Sequence, residues 1–141
     1  MTYTAPVRDM AFALEAIAGL DDVAPHFGEN ASRDLVRQIL DGAGQLAGEV
    51  LAPLNRAGDI EGSALENGVV RTPKGFKEAY RAYVDGWWNT LPFPAEHGGQ
   101  DVPWIVTTAV QEMWNAANLG WALGPLLNFG AVEALLAHGT D

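Results

Sequence analysis

The chain has 141 residues, 48% of them hydrophobic, 18 acidic against 8 basic side chains for a net charge of −10, and no cysteine. That size fits one domain with a real core, while the acidic balance without a basic stripe argues against nucleic acid. Lack of cysteine excludes a disulfide scaffold and a thiolate metal site.

Residues 4–20 read as an amphipathic helix, with Thr4 as N-cap, Pro6 near the first turn, and Val7, Met10, Leu14 and Ile17 on one face. The start has no basic head followed by an apolar run, so it is not a secretory signal. Gly19 is a stop, and Asp21 to Glu29, with Pro25 and Gly28, reads as a connection. Residues 1–29 are therefore expected to form an arm lying on a domain of residues 30–141.

From Asn30 a broad apolar face runs from Leu35 to Leu54, capped by Asn30 or Ser32 and ending at Pro53 and Asn55. Gly42, Gly44 and Gly48 fall within it. They lack the strand-to-helix context and spacing of a dinucleotide loop, so they predict a small-residue face for another helix. Residues 56–72 look irregular, with a hairpin at Asn67-Gly68. Thr72 and Pro73 restart a helix whose aromatic stripe, Phe76, Tyr80, Tyr83 and Trp87, is expected to be core.

Leu91 to Pro103 carries three prolines and a Gly-Gly pair, so the chain must turn, with Trp87, Trp88, Trp104 and Trp114 flanking it. Asp101 is the expected N-cap of the next helix, whose buried face is Ile105, Val106, Ala109, Val110, Met113 and Ala117. Asn118-Leu119-Gly120 breaks it. A last helix from Leu123 runs to His138, with Gly139 as its C-cap. The most apolar stretch, Trp121 to Ala137, is interrupted by Pro125, Asn128 and Glu133 and is not expected to span a membrane. The predicted class is all-α and the predicted location cytoplasmic.

Chemistry is sparse. His26, His97 and His138 stand at no metal-ligand spacing, and His97 is expected to bond backbone within its loop. Ser32 and Ser63 lie in no nucleophile elbow. Glu112 and Glu133 sit among apolar neighbours, with nothing to bring them together. No catalytic, cofactor-binding or metal residue is assigned.

A resemblance adds to this reading. Leu91 to Gln100, with Pro94, Gly98 and Gly99, resembles the P-x-x-x-G-G loop of acyl-CoA dehydrogenases. Gln111-Glu112-Met113 is similar to a motif on that family's following helix. Asn128-Phe129-Gly130-Ala131 through His138-Gly139-Thr140-Asp141 resembles its last N-terminal helix and turn. The opening from Tyr3 to Phe12, with Leu14 and Leu20, is similar to the extension of the large subgroup, the methylthiopropanoyl-CoA dehydrogenase-like proteins.

The resemblance implies an FAD enzyme that oxidises the Cα–Cβ bond of an acyl-CoA and passes electrons to an electron-transfer flavoprotein. It implies a middle β-domain and a C-terminal helical domain that hold the flavin and the base. These have no counterpart in 141 residues, so this chain alone is expected to be inactive and to bind no flavin. By position in the family, Leu123, Leu126, Leu127 and Gly130 would line one wall of the acyl pocket, with ordinary core packing the competing reading. Uncovered apolar faces predict a homo-oligomer. An acyl-CoA oxidase fragment and a stand-alone interaction or acyl-binding domain remain alternatives.

Overall fold

A computed structural model describes residues 3–140, so Asp141 of the final turn lies outside the described residues. The helices are α1 (Val7–Ala16), α2 (Leu20–Phe27), α3 (Arg33–Gln45), α4 (Ala52–Glu61), α5 (Phe76–Asp85) and α6 (Trp104–His138). The sheet among the described residues is one antiparallel hairpin, β1 (Ala64–Glu66) with β2 (Val69–Arg71), Leu65 opposite Val70. Asn67 and Gly68 both take positive φ, as a tight hairpin turn demands. The all-α expectation holds, and the small hairpin sits where the sequence puts it.

Several boundaries differ from expectation, among them the start of α5, at Phe76 and not at Thr72–Pro73. The long helix does not end at Pro53: a π-helical stretch, Leu46–Leu51, joins α3 to α4 and the rod continues to Glu61. Proline lacks an N–H and crowds the carbonyl four residues earlier. The wider π turn just before Pro53 leaves it in the first turn of α4, where both defects are tolerated. Residues 20–27 are helical rather than a connection, because Leu20, Val23, Ala24 and Phe27 form an apolar face. In so short a helix Pro25 forfeits a single internal bond. Finally, α1 starts at Val7 with Pro6 in the cap position, and Thr4 makes no cap bond.

The core lies between the α3–α4 rod, α5 and the first half of α6. Val36, Leu40, Ala43 and Leu51 meet Tyr83, Val106, Val110 and Met113, all buried. The glycine face of the rod receives the start of the arm instead of a helix. A Cβ on Gly44 would lie 3.1 Å from the Ala5 Cβ, and one on Gly48 would lie 3.1 Å from the Tyr3 carbonyl oxygen. Gly42 faces the Trp88 ring.

Surface ion pairs add to that seam. Arg37 reaches Glu15 at 2.8 Å, and Arg33 pairs with both Asp21 and Glu15. The Arg33 hydrogen bonds hold the Asp21 carboxyl below its usual range.

Candidate functional site

The proline-glycine corner is closed by its own backbone. Gln100, Asp101 and Val102 donate to the carbonyls of Thr90, Phe93 and Leu91 at 3.0 to 3.1 Å, and Gly99 donates to Pro94 at 2.9 Å. A Cβ on Gly99 would fall 1.8 Å from the Phe93 oxygen, so only glycine fits.

Asp101 does not cap α6 as expected. Its φ is positive, its carboxylate accepts from the Ala95 N–H at 3.2 Å within the corner, and α6 begins three residues later. Nor does His97 bond backbone; its exposed ring stands 3.8 Å from the Glu96 carboxylate.

The tryptophans divide. Trp88 meets Trp114 edge-on at 5.7 Å, while Trp87 leaves α5, takes φ 61°, and is 64% exposed, so it is not core. The Trp87 carbonyl is held by the Thr90 hydroxyl and the Gln100 amide. Tyr83 carries the stripe inward, with rings of Trp114 and Trp121 at 5.3 and 5.6 Å. Burial pushes its phenol well above the ordinary value.

α6 is not a rod. Asn118 leaves helical geometry (φ −160°, ψ 84°), where the sequence expects a break. Trp104 and Phe129 stand 6.0 Å apart ring to ring, although 25 residues of straight helix would separate them by about 37 Å. The two halves therefore fold back on each other. Asn118 organises the bend: its Oδ1 accepts from the Trp121 N–H at 3.1 Å, an N-cap for the second half, and its Nδ2 donates to the Leu51 carbonyl at 3.1 Å.

By length and composition α6 would pass for a membrane-crossing helix, with mean hydropathy 1.4 over its most apolar window. The reversal at Asn118 divides that length.

Phe129, wedged between Phe93 of the corner and Trp104, ties the second half to the loop.

Two grooves flank Phe76. One, of about 550 Å³, is lined by Asn55, Arg56, Asp59, Ser63, Asn118 and Leu123 among others. The other, about 400 Å³, runs past Lys77, Tyr80, Gly120, Gly124 and Pro125.

Leu123, Leu126, Leu127 and Gly130 fall on one side of the second half of α6, and all face solvent, Leu127 at 74% exposure. A Cβ on Gly130 would touch nothing within 4 Å. They are not core of this chain. Leu123 borders the larger groove, and Leu126 borders a small void between the halves.

Glu112 and Glu133 are exposed, and among the described residues no three acidic or histidine side chains gather as metal ligands. Sequence reading missed the two-way role of Asn118. Its breaker spacing was visible, but its partner Leu51, 67 residues away, was not.

No family model matches the chain. Along its whole length it is 44% identical to the 3-methylmercaptopropionyl-CoA dehydrogenase of Ruegeria pomeroyi, and it spans 24% of that protein's length.

Proposed function

We propose that this chain, 44% identical along its whole length to the N-terminal part of a 3-methylmercaptopropionyl-CoA dehydrogenase, forms the first helical domain of an enzyme that dehydrogenates an acyl-CoA thioester between Cα and Cβ. Residues 1–29 are the arm and 30–141 the domain. The acyl chain would run along Leu123, Leu126, Leu127 and Gly130. The observation that supports this wall is its exposure: four positions on one side of a helix present apolar surface to solvent. A long acyl chain or a further domain gains by covering such surface.

FAD is the cofactor this reading implies, and the described residues do not fit it. Their buried unpartnered polar atoms include Gln111, Trp114 and Asn115 around a void of about 10 Å³, far too small for a flavin. Neither groove beside Phe76 is lined, among the described residues, by a buried polar side chain left without a partner. Flavin and catalytic base are therefore assigned to the rest of the enzyme, which would work in the cytoplasm as a homo-oligomer and hand electrons to an electron-transfer flavoprotein.

The test uses the full-length protein. Anaerobic addition of acyl-CoA thioesters should bleach bound flavin, and electron-transfer flavoprotein should restore it. If no acyl-CoA of any chain length bleaches the flavin, the activity is wrong. Gly130→Trp should raise KM for the longest accepted acyl-CoA about tenfold, equivalent to roughly 1.4 kcal/mol of binding, and spare the shortest. A folded variant with an unchanged chain-length profile removes the wall assignment.

A further inference from the structure

Where the two halves of α6 face each other, the first contributes Gln111, Trp114 and Asn115, and the second contributes Ala122, Pro125 and Phe129. These side chains, with Leu126, line a void of about 10 Å³. The Gln111 Nε2, Trp114 Nε1 and Asn115 Oδ1 atoms are all buried and have no hydrogen-bond partner in the protein. Leaving one such group unpaired costs about 1 to 3 kcal/mol, and all three residues line the same small void. Trp114 is 2% exposed and its N–H is donor only, which fixes one requirement: the partner accepts a hydrogen bond.

We propose that this void is a binding site for a single structural water that satisfies three polar side chains of the first half of α6 where the apolar second half covers them. The volume matches about one water-sized probe, the smallest space that holds a water. Its two lone pairs accept from the Trp114 indole and the Gln111 amide, and one of its protons goes to Asn115 Oδ1. Turning the Gln111 amide about keeps the match, since the water then accepts from the indole and donates to both amide oxygens.

Other occupants fail on chemistry. A metal or ammonium cation is opposed by the indole N–H, and a chloride by the amide oxygen as well as by size.

The experiment is a crystal structure of the full-length protein at a resolution that shows ordered water, together with Trp114→Phe and Asn115→Leu. The expected wild-type result is one water peak within hydrogen-bond reach of all three atoms. Asn115→Leu, which fills the void and removes the acceptor, should expel it. Water detected in solution offers a second measurement: the Trp114 indole proton should show a dipolar cross-peak to long-lived water, and Trp114→Phe should abolish that peak. An empty void in the wild type, or Gln111 and Asn115 bonded to each other or to backbone, would overturn the site. Neither outcome bears on acyl-CoA oxidation, so the two readings fail separately.

Discussion

The two halves of α6 are one helix by sequence and two environments by structure. Before Asn118, Val106, Val110, Met113 and Trp114 are buried against the α3–α4 rod and α5, and the opposite side carries exposed Thr108, Glu112 and Ala116. After it, Trp121, Pro125 and Phe129 are covered, while Leu119, Leu123, Leu127 and Leu135 are open. Both halves are apolar, but among the described residues the second leaves its leucine side uncovered. Hydrophobic periodicity tells which residues share a side and leaves open what covers it.

The contrast can be broken at its support or sharpened along its length. The largest effect is expected at the corner. Gly99→Ala drives a methyl into the Phe93 carbonyl and should destabilise by about 4 kcal/mol or more, seen as loss of cooperative thermal unfolding by circular dichroism. Gly130→Ala, with open space around it, should be neutral or stabilising by up to about 1 kcal/mol from helix propensity.

Met113→Ala, in the buried half, should cost roughly 2 to 5 kcal/mol in urea unfolding, whereas Leu127→Ala should stay within about 0.5 kcal/mol. Equal losses at both positions would show that something in the chain covers Leu127 after all.

Asn118→Ala strands the Trp121 N–H and the Leu51 carbonyl contact, for an expected loss of about 1 to 3 kcal/mol in the same measurement.

The smallest effect is pH-dependent. Burial raises the folded pKa of Tyr83 above its ordinary 10.0. The stability linked to its neutral form is therefore complete below pH 10 and is lost as pH rises through the folded value. Tyr83→Phe removes that titration, so the onset of alkaline unfolding should move to higher pH.

Much of this was legible in the residues. Periodicity located the α3 rod, α5 and the first half of α6, and Asn67-Gly68 located the hairpin, because each signal is local. The continuation past Pro53 was not legible, since a π turn depends on how a helix packs rather than on proline itself. The Asp101 cap failed for a similar reason: its carboxylate had a closer donor, Ala95, inside a corner that only tertiary geometry defines. At the candidate wall, sequence placed Leu123, Leu126, Leu127 and Gly130 on one side, but their exposure depends on the reversal at Asn118.

The Asn118 tether also carries a kinetic consequence. Its link to Leu51 joins positions 67 residues apart, a closure whose entropy must be lost before the bond can form. The second half of α6 should therefore dock late, after the rod has assembled. Asn118→Ala should then speed unfolding and leave the refolding rate nearly unchanged, and a slowed refolding limb in a stopped-flow chevron would place this bend in the folding nucleus instead.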